Sequence, residues 1–580
     1  MAGLLWAALA AGALWLGPGA LATAGGIKLT DESARAATRG HSIQISPDGT
    51  RVVFTADSAA GDRAALYSVP ITGGPMVQLH GGTGVPGNYK YGETGYDGIP
   101  AWLCRQVFQI TPDGESVVYG AEPSIGSVDL YKAPIAGGPS VQLASLSLHN
   151  FNTLRFSVAP DGAHVVYRME ESAPSADTPG SITVYSVPAA GGEPPVTLFD
   201  GLVWQGNSYF DRTGFPISPD SSRAIFAHDG ALYVADLGGG PVTTLASVGP
   251  DHISDAWYTP DGSRILFGTR APPNSGSREA LYSVGVAGGT PVLLVSQSIG
   301  LGYDPKGGPN GYVTTIGGTD VITAHTSAGV TEFRRVAIDT GASTLMGTVT
   351  TGTDRWLQKR AFLHDATGTV YLGVDDVDTT SLWYISFSGG EPVRLMDDTP
   401  DAGSYRQYVR PDDIRCWITP DDQTLVYSVP TTDGRELYSV ALAGGASVRL
   451  DHDPPAGMRI EGYQLTPDGQ YAIYSVCQDD VDGSGSGRVA LYAVDVHGGT
   501  PWLLTDPPAP GRFIVPGTFA YEQGTNVDAI APDGTVLYWV GNDDTGYDLY
   551  ASAVPEPATL GLLALAGMTL VGRRRNAAAR

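Results

Sequence analysis

Along most of the chain, apolar residues fall in short runs bounded by turn residues, not at helical intervals. One stretch shows the pattern. Ile45 leads into Ser46-Pro47-Asp48-Gly49, then come Val52-Val53-Phe54, a polar segment, and Leu66-Tyr67-Ser68-Val69. Gly73-Gly74 follows, ahead of Val77-Gln78-Leu79. Short β-branched and aromatic runs punctuated in this way predict strands. In Pro-Asp-Gly, Pro presets φ, Asp caps the turn and Gly takes φ > 0, so the phrase joins a first strand to a second. Val-Val-Phe and Leu-Tyr-Ser-Val predict second and third strands that are apolar on both sides, hence buried between neighbouring sheets. Gly-Gly predicts the hairpin into a fourth strand ending at Leu79.

The phrase returns at Ile110, Val158, Ile217, Tyr258, Ile418, Leu465 and Ile530. Two degenerate copies fill the gap between Tyr258 and Ile418. One covers residues 302–345, with 334–339 as its third strand; the other starts at Phe362 and passes through Leu382-Trp383 to Leu395. About ten units at a mean spacing of about 50 residues suit four-stranded blades with loops. The expected fold is therefore all-β, a β-propeller of about ten four-stranded units. The last unit reaches Leu549-Tyr550 without a Gly-Gly-x-Leu strand, and Gly25-Gly26-Ile27-Lys28-Leu29-Thr30 has that form. The N-terminal strand is thus expected to complete the last blade and close one ring, leaving no sheet edge open. Two separate propellers are the alternative. The phrase resembles the TolB-like, WD40-like (PD40) propeller repeat, also found in the propeller halves of prolyl-oligopeptidase-type enzymes. That resemblance spans nearly all of residues 25–553 and implies a fold, not a function.

The two ends break the pattern. Residues 4–21 are apolar and are followed by Ala22-Thr23-Ala24, the small-x-small form a signal peptidase accepts. Residues 1–24 thus read as a signal helix cleaved after Ala24. At the other end, Val554-Pro555-Glu556-Pro557 precedes an uncharged apolar run to Val571 and then Arg573-Arg574-Arg575. The run is short against the ~20 residues of a full span, and the arginines can snorkel to cytoplasmic headgroups. This tail resembles the PEP-CTERM sorting signal of exopolysaccharide-producing Gram-negative bacteria. The resemblance implies a hydrophobic helix that anchors the chain transiently in the inner membrane until an exosortase cuts near the Pro-Glu-Pro box. Pro555, Glu556 and Pro557 would be the recognition residues. A plain membrane anchor is the alternative. The division expected is signal peptide 1–24, propeller 25–553, and sorting and membrane segment 554–580.

Composition narrows the partners. With 77 Gly and 42 Pro in 580 residues, the chain is rich in turns. Its formal net charge of −26 disfavours nucleic acid and anionic membrane as ligands of the body. It leaves cations, basic partners and neutral glycans. The three cysteines, Cys104, Cys416 and Cys477, form no CxxC pair and read as small buried hydrophobes.

Pro-Asp-Gly and Gly-Gly turns share one face of such a propeller. The second-to-third and blade-to-blade loops share the other, and those are the loops that vary in length. Several carry aromatics beside polar residues. Tyr91, Trp102, Trp204 and Tyr405 are the candidate ligand contacts, suited to sugar rings or peptides, or else they simply cover the blade ends. Asp480 and Asp482 lie in an acidic turn that faintly resembles a Ca²⁺ loop but has no closing Glu, so an ordinary acidic turn is the competing reading. No cofactor is otherwise implied. No Gly-x-Ser-x-Gly or His-Glu-x-x-His motif occurs. His80, His252 and His452 lie in or beside blade connections. Two functional readings follow. The first is an exported, non-enzymatic binding or scaffold protein at the cell surface or in the extracellular matrix, with a glycan or envelope protein as ligand. The second is an extracytoplasmic polysaccharide lyase or hydrolase acting in the channel.

Overall fold

A computed structural model describes residues 26–554, and the residues it leaves undescribed within those limits fall between strands. The longest such stretches are 81–107, 204–215, 298–312 and 397–414.

The repeat folds as written. Blade 1 comprises Ile43–Ile45, Arg51–Ser58, Ala64–Pro70 and Val77–His80, antiparallel throughout. Nine more blades of the same kind follow in chain order, the last two joined into one nine-stranded sheet because Ile514 pairs both with Arg488 of blade 9 and with Val540 of blade 10. Blade 2 begins at Phe108, blade 3 at Phe151, blade 5 at His252, blade 6 at Val313, blade 7 at Arg360, blade 8 at Arg415 and blade 9 at Met458. In blade 4 the first strand shrinks to a single bridge, Ile217 to Ala224, because Pro216 has no N–H to give a ladder. In the degenerate blade 6, the third strand is Val330–Ala337, slightly earlier than its sequence suggests.

Both faces of the second and third strands are buried. Val52, Val53, Phe54 and Leu66 are fully shielded from solvent. In blades 1, 2, 3, 4, 5, 8, 9 and 10 an aromatic of the second strand stacks on its cross-strand partner in the third, with Phe54 on Tyr67 at 5.7 Å and Tyr474 on Tyr492 at 5.3 Å. Such pairs add about 0.5–1.5 kcal/mol beyond burial.

One ring forms. Each apolar cluster among the described residues draws on two consecutive blades, as in blades 1 and 2 with Val53, Leu66, Phe108 and Tyr119. One cluster joins Leu537, Trp539 and Leu549 of blade 10 to Val52, Phe54 and Tyr67 of blade 1. Blade 10 consists of Ala529–Ile530, Val536–Gly541, Tyr547–Ser552 and, as its fourth strand, the N-terminal Ile27–Lys28. Ile27 pairs with Ala551 and Lys28 with Tyr550. The expected closure is therefore what the chain does.

The segment before blade 10 differs from its sequence reading as one long connection. Ile514–Pro516 pairs with Val540, Trp539 and Tyr538, taking the first-strand position over the upper half of blade 10. Ala529–Ile530 holds that position over the lower half. A hairpin, Thr518–Ala520 with Thr525–Val527, leaves and returns between the two halves. It therefore departs from the axial edge of blade 10 and, among the described residues, pairs with no other strand.

Candidate functional site

The turn face is built from the Ser/Thr-Pro-Asp-Gly phrase. In blade 1, the Ser46 hydroxyl donates to Asp48 Oδ1 at 2.5 Å and accepts from Arg51 N at 2.9 Å. Asp48 in turn accepts from Thr50 N at 3.1 Å. Thr111, Ser218, Thr259, Thr419 and Thr466 repeat the arrangement with Asp113, Asp220, Asp261, Asp421 and Asp468. The hydroxyl bond is the main cause that holds Asp48, Asp113, Asp261 and Asp421 below the ordinary carboxylate range, and Asp220 falls to about 2. One rim of the ring thus carries a circle of ionised aspartates.

Neighbouring turns fit into one another. A Cβ on Gly49 would lie 3.2 Å from Pro532 of the previous blade, and one on Gly469 would strike Pro420. Among the described residues, two blades replace this glycine yet keep its left-handed backbone, Ser221 at φ 60° and Asp422 at φ 55°. Both side chains reach the previous blade. Ser221 Oγ accepts from Asp161 N at 3.0 Å. The Asp422 carboxylate accepts from His364 N at 2.8 Å and Asp365 N at 2.9 Å, and meets His364 Nδ1 at 2.8 Å.

The axial wall is formed by the first strands. The Gln44 amide behaves there like a backbone peptide: its Nε2 donates to Phe108 O at 2.8 Å and its Oε1 accepts from Ile110 N at 3.0 Å. Gln109 Oε1 accepts from Val158 N of blade 3 at 3.1 Å. In blade 8 the same repeat position is Trp417. Cys416 and Ile418 point into the cluster shared by blades 7 and 8, so Trp417 points the other way. It is 50% exposed, more than any other large apolar side chain among the described residues. A half-exposed indole on an innermost strand is a stacking platform for a sugar ring or an aromatic group. The sequence reading passed over it. The sequence did not mark it out, because the position holds Gln in blades 1, 2 and 9 but Ser157, Pro216, Trp257 and Ala529 in others.

The singled-out histidines lie in three separate blades. His80 ends the outer strand of blade 1 and packs against Tyr119 and Tyr131 of blade 2, with ring centroids 5.2 and 5.8 Å away. His252 begins the first strand of blade 5, and His452 follows the fourth strand of blade 8. Among the described residues, no group of three or more His, Cys, Asp or Glu side chains is placed to hold a metal ion. Cys477 is buried, donates to Glu461 Oε2 at 2.9 Å, and burial pushes its thiol pKa far up.

The candidate ligand residues Tyr91, Trp102, Trp204 and Tyr405 lie outside the described residues, as do the acidic pair Asp480 and Asp482. So do Ala22 and Ala24, Pro555, Glu556 and Pro557, and Arg573, Arg574 and Arg575. The strands that flank their loops are described. Val77–His80 runs away from the turn face and ends where 81–107 begins, and Tyr471–Asp479 ends likewise at 480–485. The variable loops therefore spring from the face opposite the aspartate circle.

The body meets the tail at blade 10. Its third strand runs to Ser552, and Val554 is 8% exposed, within 4 Å of where a Gly534 Cβ would sit. Thr30, itself buried, donates to Asp548 Oδ1 at 3.0 Å and accepts from Leu549 N at 3.1 Å. Lys28 Nζ lies 3.0 Å from Asp548 Oδ2.

A family described as the PEP-CTERM protein-sorting motif matches residues 553–575. The motif marks an exosortase-sorted extracytoplasmic protein that passes through a membrane-anchored intermediate in Gram-negative-type bacteria. Among the described residues, no helix is long and apolar enough to cross a membrane. No curated protein matches the chain in sequence. Among solved structures, a eukaryotic initiation factor is similar at 12% identity, covering 78% of this chain and 96% of its own, with a TM-score of 0.42. An oligogalacturonate lyase from Vibrio parahaemolyticus is similar at 14% identity, over 70% and 98%, with a TM-score of 0.30. A dipeptidyl peptidase 4 from Porphyromonas gingivalis is similar at 11% identity over 75% of this chain and 64% of its own, with a TM-score of 0.38. At these scores none bears on what the chain does.

Proposed function

We propose that the chain is a binding or scaffold protein of the cell surface or exopolysaccharide matrix, released from the membrane by an exosortase that acts at Pro555-Glu556-Pro557. Signal peptidase cleavage after Ala24 precedes that step and frees the closing strand. The sorting motif is the observation that carries this reading. The binding role draws support from two features. All the variable loops leave one face of a rigid ring, which is where binding residues usually reside. Trp417, on an innermost strand, also leaves half of its indole uncovered.

Two experiments test it. Replacing Pro555, Glu556 and Pro557 together with alanine leaves full-length protein in the membrane fraction; normal processing of that variant would refute the exosortase step. The released protein, run over glycan and peptide panels with and without Ca²⁺ or Mn²⁺, retains a ligand without consuming it, and Trp417→Ala weakens retention about 5-fold or more, the scale of ~1–3 kcal/mol for a stacked ring. Metal-dependent turnover of a glycan would replace binding with catalysis.

A further inference from the structure

We propose that, in the membrane-anchored intermediate, the sorting tail holds the ring with its aspartate-bearing turn face toward the lipid headgroups and its loop face toward the aqueous side. This rests on the exosortase reading above.

The chain leaves the body on one face. The third strand of blade 10 ends at Ser552, which pairs with Val536, two residues past the Pro532-Asp533-Gly534 turn. Val554 then packs beside Gly534 of that turn. The body's first described residue is there too, since a Cβ on Gly26 would lie 3.1 Å from Ser552 Oγ. Both ends of the propeller thus emerge on the turn face, at the outer strands of blade 10.

Lengths decide the orientation. Between buried Val554 and the apolar run from Leu560 lie residues 555–559, which reach at most about 17 Å when fully extended. The apolar run, which ends at Val571, has no slack to lend, being shorter than the ~20 residues of a full span. The blades are taller than the tether is long. Arg51–Ser58 has 8 residues, about 26 Å at ~3.3 Å per residue. Turning the loop face to the bilayer would require the tether to pass this whole height and still enter the membrane, and it cannot. The loop face is therefore excluded from the membrane side, and the exit of both ends on the turn face points that face to the bilayer.

The test uses the full chain carrying alanine at 555–557, so that it stays anchored, in phosphatidylethanolamine–phosphatidylglycerol vesicles with a headgroup quencher. With the native cysteines replaced, one fluorescent label goes on Ala287→Cys, in the exposed Gly-Gly turn of blade 5, or on Ser247→Cys, at the exposed loop-side end of the outer strand of blade 4. Both positions are well away from blade 10 in the ring, and they differ in height. The expected result is quenching at 287 at least threefold stronger than at 247. Equal quenching would mean that the ring stands on edge, and stronger quenching at 247 would mean that it is inverted; either result overturns the proposal. Sedimentation of the same samples separates the two claims. If the variant does not stay with the vesicles, the sorting reading has failed; if it stays and the labels disagree with the order given, only the orientation has.

Discussion

At the scale of single residues, the fold depends on side chains that substitute for backbone. Asp422 shows this best. It occupies a left-handed position that Gly469 fills in blade 9, and its carboxylate caps two N–H groups of blade 7. Asp422→Ala keeps the backbone strain and loses both caps. It is expected to lower unfolding free energy by about 2–3 kcal/mol in urea titration. Asp422→Gly loses the caps but relieves the strain, so it should cost roughly 1 kcal/mol less. Equal losses would show that the backbone conformation carries no strain. The turn aspartates also set an acid limit. Their folded pKa values lie below the unfolded value, so the stability they contribute is present above about pH 4 and is lost as pH falls toward the folded values, about 2 for Asp220. Thr111→Val and Ser218→Ala, which remove the hydroxyls, should each move the acid-unfolding midpoint to higher pH. An unmoved midpoint would mean that these turns do not govern acid unfolding.

At the scale of elements, one strand of a few residues holds the ring shut. Gly73 of blade 1 has Ile27 beside it, where Gly137, Gly191 and Gly498 have Val77, Val141 and Val448 from the fourth strand of the preceding blade. The N-terminal strand therefore takes the fourth-strand position and its interblade contact as well. Its polar lock is Thr30 on Asp548. Thr30→Val should cost about 1–3 kcal/mol because it leaves Asp548 and Leu549 N short of partners in a buried seam. Lys28→Ala removes an ion pair on a half-exposed lysine and should cost under about 1 kcal/mol. Deleting residues 25–30 exposes the edge of Tyr547–Ser552, so the expected product is a less stable ring that self-associates through that edge, read by thermal unfolding and light scattering. A deletion that remained monomeric at wild-type stability would show that blade 10 closes without the strand.

At the scale of the whole molecule, ten blades make one ring with two unlike faces. The aspartate circle gives the turn face a negative field, and the chain as a whole carries −26. An anionic bilayer repels such a face, so cutting the tail should release the ring instead of leaving it adsorbed. The released protein should therefore fail to sediment with phosphatidylglycerol vesicles even at low salt. Salt-sensitive co-sedimentation would contradict this.

Much of this was legible along the chain, because the phrase Ser/Thr-Pro-Asp-Gly, Leu-Tyr, Gly-Gly is local chemistry. Turn residues and β-branched runs act within a few positions, so they fixed the strands, their order within each blade, and the missing strand that Gly25–Thr30 supplies. The sorting tail was legible for the same reason, since its box, apolar run and arginines are contiguous. What the phrase could not supply was anything set across blades. Whether the units form one ring or two depends on Trp539 and Phe54 meeting across the seam, hundreds of residues apart in sequence. Trp417 shows itself as an open indole only once Cys416 and Ile418 are seen to take the interior. His80, plausible as a ligand in sequence, packs against the stacked pair Tyr119 and Tyr131. The exit of both ends on the turn face, and with it the orientation at the membrane, follows from the register of Ser552 on Val536. Such relations arise from packing between sheets, and packing has no periodicity in the chain from which it could be read.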